Sequence, residues 1–328
     1  MAETVKTGTA DTEPGSPPII VISNRQPYRH DLTPEGFSVV RPVSGLVSAL
    51  EPVVRRHHGL WIAQGNGTAD AEVLDTASEI QVPPHAPSFR LRRVFLSTKQ
   101  IQGHTDGFSN QALWPLCHIA HQRPVFRASH WELYRQVNET FAQAIQPVDL
   151  HGRPDTAILV QDYHLALAPR LLRNRFKSSR IALFWHVPWP PAEIFERCPW
   201  ATEILEGMLG AGVIGFHTEE YCTNFLNTCD RLLESKIDWR TQTIRRAGRT
   251  TLVRAIPIGV EPEPFEKLPW SERKAYWKQK LGLHSKHVAL SVDRVDFTKG
   301  IFERLDALER LLEQRPTLRG ELSLIQVA

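Results

Sequence analysis

The sequence predicts an α/β protein of two domains, the first whole and the second represented by its opening β-α-β unit. Three observations predict this. From about residue 156, short apolar runs alternate with amphipathic stretches of helical length. The short runs, such as "TAILVQ" and "GVIGF", are apolar throughout, as strands of a parallel sheet covered on both faces must be. A proline-rich stretch, "PIGVEPEPFEKLPW" (257 to 270), then breaks the alternation before it restarts. The reading is therefore a tail over 1–17, a first domain over 18–260, and a linker with the start of a second domain over 261–328.

The elements follow in order. Residues 1–17 are polar, carry Pro and Gly, and lack the basic start and apolar core of a signal peptide, so a disordered tail is expected. "PPIIVISNR" (17 to 25) is a buried strand running into a polar loop. In "SGLVSALEPVVRRH" (44 to 57), Leu46, Val47, Leu50, Val53 and Val54 share a helical face, with Ser44 as N-cap. In "SHWELYRQVNETFAQAI" (129 to 145), Ser129 and Glu132 have capping-box spacing, and Tyr134, Val137, Phe141 and Ile145 form the apolar stripe. The strands "TAILVQ", "RIALFWH" and "GVIGF" alternate with the helices "HLALAPRLLRNRF", "WATEILEGML" and "TEEYCTNFLNTCDRLL". After the linker come strand "HVALSV", helix "IFERLDALERLLEQ" and strand "ELSLIQV". One such unit leaves apolar faces and strand edges uncovered.

Bulk properties exclude several function classes. The net charge of +3 is small and the positive residues are scattered, which argues against a nucleic-acid partner. No apolar run reaches membrane-spanning length. The four cysteines, Cys117, Cys198, Cys222 and Cys229, form no C-x-x-C, so buried free thiols in a reducing, cytoplasmic compartment are expected. A homo-oligomer is among the partners the sequence allows.

The candidate chemistry sits at strand ends. "GAGVIG" (210 to 215) matches G-x-G-x-x-G but closes a helix and opens a strand. That is the wrong order for a dinucleotide loop, so a helix C-cap at Gly210 or Gly212 is the better reading. Asp162 and His164 in "VQDYHLALAP" follow one parallel strand, and His186 in "FWHVPWPP" follows the next. The carboxyl edge of such a sheet is where ligands bind. Asp162 alone would as well be a helix cap, but two polar residues at successive strand ends point to a shared cleft. In "SVDRVDFTKG" (291 to 300), Arg294 and Lys299 stand at the end of a strand and the start of a helix. Two cations there suit a diphosphate leaving group without a metal, the bland alternative being a surface pair between Arg294 and Asp296.

Taken in order, these pieces resemble the trehalose-6-phosphate synthase family, retaining glycosyltransferases of glycosyltransferase family 20 with the GT-B fold of two Rossmann-like domains. The motifs are Ser23-Asn24-Arg25, the glycine loop Ser44-Gly45-Leu46, and Phe108-Ser109-Asn110 with Leu113-Trp114-Pro115 and His118. They continue with "QDYHL" around Asp162, His186 to Pro190, Pro257 to Val260, and "DRVDFTKG". The resemblance implies transfer of glucose from UDP-glucose to glucose 6-phosphate with retained configuration, giving trehalose 6-phosphate. It implies that Arg294 and Lys299 grip the donor diphosphate, with Gly45 and His186 also on the donor side. Arg25, Trp114 and Asp162 would serve the acceptor, and Asp162 and His186 would hold sugar hydroxyls at the reacting centre. No cofactor and no metal are implied. Thr105 stands where the family usually has a Tyr facing the acceptor phosphate, which keeps open a related synthase using another acceptor such as glycerol 3-phosphate. The family continues past "QVA", so the chain is expected to be C-terminally truncated. A non-catalytic sugar-phosphate-binding protein is therefore a further alternative.

Overall fold

The computed structural model describes residues 18–42, 44–150, 155–259, 270–295 and 299–327. The expected tail over 1–17, most of the linker, and Asp296 lie outside the described residues. The chain divides into two compact units between Glu261 and Pro262.

In chain order the strands are β1 (Ile19–Ser23), β2 (Arg29–Thr33), β3 (Gly36–Val40), β4 (Leu60–Gln64), β5 (Glu79–Val82), β6 (Phe89–Val94), β7 (Ala157–Gln161), β8 (Arg180–Phe184), β9 (Val213–Phe216), β10 (Lys236–Asp238), β11 (Thr243–Arg246), β12 (Arg249–Ala255), β13 (His287–Val292) and β14 (Leu322–Val327). The first unit is built on a ten-stranded sheet of order β10-β11-β12-β9-β8-β7-β1-β4-β6-β5. Strands β12 through β6 of that order run parallel, and antiparallel strands close both edges. The chain winds outward from β1 to β4 and β6, then returns to β7 on the other side of β1. That reversal puts the sheet's switch point between β1 and β7, where loops part and leave a crevice.

The strand sequences explain the two cores. Side chains alternate across a strand. Ile20, Ile22, Leu60, Ile62, Ile158 and Val160 face a large cluster that includes Tyr134, Val137 and Phe141 of the helix Ala128–Gln143 and Ile145 just past its end. Ile19, Val21, Trp61 and Ala63 face a smaller cluster with Val47 and Val54 of the helix Gly45–Arg56. On that second face, Leu159, Ala182, Phe184 and Val213 instead line an open apolar trough of about 480 Å³.

Several local expectations are corrected. Ser44 is the N-cap of its helix but makes no side-chain capping bond, and Val53 is exposed while Glu51 is buried. The Ser129–Glu132 capping box does not form, because the helix starts at Ala128 with Arg127 as N-cap. The carbonyl of Arg127 already accepts from His130 N and Trp131 N. A capping box does form at Ser97 with Gln100. Gly210 is not the cap of the helix Ala201–Met208, whose C-cap is Leu209. A Cβ at Gly210 would lie 2.2 Å from Arg170 N, so this glycine permits two chain segments to touch.

The second unit holds parallel β13 and β14 joined through the helix Ile301–Gln314. Leu290 and Val292 of β13 are exposed, as expected for a β-α-β unit with little to cover it.

Candidate functional site

At the switch point, the loops after β1 and β7 border a polar cavity of about 410 Å³. Asn24, Arg25, Gln26 and Arg29 line one side, and Tyr163 and His164 the other, with Thr105 and Asn110 between. Thr105 and Asn110 come from a wide π-helical turn, Gln102–Leu113, a distortion found mostly at functional positions. Phe108 anchors the turn against Trp131, Tyr134 and Trp200. Tyr163 Oη donates to Asn110 Oδ1 at 3.0 Å, tying the turn to the end of β7. Asn24 Oδ1 is buried and accepts no hydrogen bond among the described residues. A buried acceptor of this kind is costly unless a partner reaches it.

Asp162 stands at the hinge of the site. Its backbone has φ 73° and ψ 168°, a region that costs an L-residue about 1–3 kcal/mol and is found at functional positions. Its Oδ1 accepts from Tyr163 N at 2.9 Å and His186 N at 3.2 Å. Its Oδ2 lies 3.7 Å from His164 Nδ1. Burial pushes its carboxyl up to about 6, against the pull of those two amides and Arg25. It is therefore mainly a carboxylate at pH 7 but an easily protonated one.

The imidazoles are neutral. Burial and then His217 push His186 down to about 4, and its Nε2 lies 2.9 Å from Gln161 Oε1. Burial, then His104, Arg25 and His186, hold His164 well below the ordinary histidine range. Neutral rings and a carboxylate can exchange hydrogen bonds with sugar hydroxyls, and Arg25 adds a cation at the exposed rim. The four cysteines are buried, and burial raises each thiol, so none is an activated nucleophile. The arrangement can orient and polarise a polyol with an anionic group.

The predicted site residues fall into four places. Arg25 lines the polar cavity, Asp162 directly precedes its lining residues Tyr163 and His164, and His186, bonded to Asp162 through its backbone N–H, lines the apolar trough instead. Gly45 is the first residue of its helix, exposed, with nothing within 4 Å of where a Cβ would stand. Trp114 is half-buried and stacks on His118 at 4.0 Å, outside the lining of the polar cavity. Arg294 and Lys299 lie in the second unit, between β13 and its helix in the chain. Gly300, at φ 59°, opens that helix in the left-handed conformation that favours glycine.

Sequence reasoning missed the residues that hold these places. Arg304 donates to Gln326 Oε1 at 2.7 Å, Asp293 Oδ2 at 2.9 Å and the Lys299 carbonyl at 3.1 Å, so it ties Lys299 to the residue that precedes Arg294. Its spacing from Lys299, one helical turn after Gly300, was the available signal. Tyr163 and Asn110 lay inside the quoted motifs, and Gln26 directly after one, but none carried an assigned role. Asp70 and Arg93, buried behind the cavity, gave no signal at all.

The family model described as Glycosyltransferase family 20 matches residues 17–328. A trehalose-6-phosphate synthase of Mycobacterium sp. (strain KMS) is 35% identical over 326 residues, covering 96% of this chain and 64% of that protein. One from Mycobacterium tuberculosis is 34% identical over 331 residues, with the same coverage. Among solved structures, an alpha,alpha-trehalose-phosphate synthase (UDP-forming) from Burkholderia xenovorans in complex with glucose-6-phosphate aligns with TM-score 0.77. It has 28% identity over 95% of this chain and 65% of that one. An E. coli trehalose-6-phosphate structure bound with UDP-2-fluoro glucose aligns with TM-score 0.73 and 26% identity, over 94% and 64%. The chain thus spans about 64% of the length of the relatives it matches, and its α/β architecture is that of the GT-B neighbours.

Proposed function

The chain belongs to glycosyltransferase family 20, and on that premise we propose that it serves a trehalose-6-phosphate synthase reaction in the cytoplasm. Glucose passes from UDP-glucose to glucose 6-phosphate with retained configuration, releasing UDP. One observation carries the reading: the polar cavity at the switch point is lined by a cation, Arg25, and by Tyr163 and His164, which directly follow the carboxylate Asp162 at its strained backbone position, where it accepts from the backbone N–H of His186. That combination suits a sugar phosphate, the cation meeting the phosphate and the carboxylate a hydroxyl.

The chemistry asked of these residues is positioning and charge stabilisation. Asp162 accepts a hydroxyl hydrogen and His186 fixes a second hydroxyl near the reacting carbon. Gly45 lets backbone approach the donor. Arg294 and Lys299, at a helix start, neutralise the departing diphosphate. The acceptor hydroxyl gives up its proton as the new glycosidic bond forms, and the leaving phosphate oxygen takes it. Trp114 would complete the acceptor side.

A second reading, glycerol 3-phosphate as acceptor, rests on Thr105 on the cavity wall, whose short side chain cannot make the contact to an acceptor phosphate that a tyrosine at this position would. The test is calorimetric titration of the chain with glucose 6-phosphate, glycerol 3-phosphate and glucose, with UDP release measured on the same preparations. Preferential binding of glucose 6-phosphate, lost in Arg25→Ala, is expected. Equal affinity for glucose, or no effect of Arg25→Ala, overturns the reading. Binding without UDP release assigns the chain a sugar-phosphate-binding role alone.

A further inference from the structure

Behind the polar cavity lies an ion pair with no solvent contact, Asp70 and Arg93, whose side chains meet at 3.1 Å and are both 0% exposed. Neither residue lines the cavity. Both are saturated by groups of the loops that do. Asp70 Oδ1 accepts from His30 N at 2.8 Å. Its Oδ2 accepts from Gln26 Nε2 at 2.6 Å, Asn66 N at 2.9 Å and Gly67 N at 2.7 Å. Arg93 Nε donates to Gln26 Oε1 at 3.0 Å and its Nη2 to the Tyr28 carbonyl at 3.2 Å. The same Nη2 reaches His30 Nδ1 at 2.7 Å, which requires that ring nitrogen to be an acceptor. Burial lowers the His30 pKa, with Arg93 adding to the effect, in agreement with a neutral ring.

The pair therefore ties the loop after β1, which carries Asn24, Arg25 and Gln26 and leads into Arg29 of β2, to the loop after β4, which carries Asn66. The fit is close: a Cβ on Gly67 would lie 2.3 Å from the His30 carbonyl. On its far side the first loop is tied again, through the buried Tyr28 hydroxyl and Glu51, to Arg55 and Arg41.

A buried ion pair is a poor source of net stability, because desolvation offsets most of the attraction and apolar replacements do as well. What it does supply is a single geometry. We infer that Asp70 and Arg93 are positioning residues for phosphate recognition, clamping the loop of Arg25 and Arg29 so that its cations face a bound sugar phosphate. The ligand in this inference rests on the proposed function; the clamp itself does not.

The experiment separates the two. The 328-residue chain, Asp70→Asn, Arg93→Lys, the double variant Asp70→Asn/Arg93→Met, and Arg25→Ala are each titrated with glucose 6-phosphate. All are melted, and hydrogen exchange is read over residues 24–30 and 64–70. Both single variants should bind about tenfold more weakly or worse, the scale of a displaced set of hydrogen-bonding groups, with faster exchange confined to those two loops. The double variant leaves no buried charge without its partner. It should melt above Asp70→Asn, which leaves Arg93 charged and unpaired, yet stay weak in binding, which a merely structural role would not give. A double variant that recovers melting and affinity together overturns the clamp, as does unchanged exchange in the two loops. If the wild-type chain takes up no glucose 6-phosphate, the proposed function falls, and the exchange data alone decide the clamp.

Discussion

Replacing Asp162 by Asn removes one charge from the hinge of the site and little else. Asn Oδ1 can still accept from Tyr163 N and His186 N, and the backbone strain at φ 73° is common to both residues. The wild-type carboxyl is raised from 3.8 to about 6 by burial. Between those values the folded protein holds a proton that the unfolded chain has released, so stability falls as pH rises through the window and is level above it. A shift of about 2 units corresponds to at most about 3 kcal/mol. Because the side chain is 18% exposed, solvent screening trims this to about 2 kcal/mol. Urea unfolding followed by tryptophan fluorescence, from pH 4 to pH 8, is the assay. Asp162→Asn should match the wild type near pH 4 and exceed it by about 2 kcal/mol above pH 7, while losing the proposed turnover. A difference that does not vary with pH, or one of opposite sign, would show that the carboxylate is well solvated and that the argument for its role has lost its physical basis.

Three further outcomes can be checked. Gly45→Ala has room for its methyl group and should gain up to about 1 kcal/mol in stability while weakening UDP-glucose binding; unchanged binding removes Gly45 from the donor site. Arg92→Leu leaves the buried Asp149 without its cation and Glu79 with Arg90 alone, and should cost about 3–5 kcal/mol in a thermal or urea melt; a loss under about 1 kcal/mol would contradict the pairing. Lys299→Ala should lower kcat/KM for UDP release by about 2–4 kcal/mol of transition-state stabilisation, and an unaltered value would make Lys299 a surface charge.

The parts of the fold legible in the sequence are those where burial is symmetrical. β7, β8 and β9 lie mid-sheet and read as plain apolar runs, so the ends of β7 and β8, and with them Asp162 and His186, could be located by counting. β6 was opaque for the opposite reason. Its sequence FRLRRV looks like a surface segment, yet Arg92 and Arg93 are buried because carboxylates from distant loops meet them. Such pairs form only in the tertiary structure, and no local periodicity announces them. The hairpin β2–β3 was hidden because Leu32 and Phe37 are exposed, so its apolar residues mark no core. At Ser129 the local capping pattern lost to a helix that begins one residue earlier, at Ala128.

The burial of all four thiols has a practical consequence. Cys117, Cys198, Cys222 and Cys229 are shielded from solvent and held in the protonated form at neutral pH, so a maleimide has no fast-reacting target on the folded protein. A cysteine introduced at Asn66 or Asp106 would then be the one quick site of labelling beside the cavity. A fluorophore there would report ligand uptake from a single position, without first stripping the native cysteines from the core and paying for the cavities they would leave.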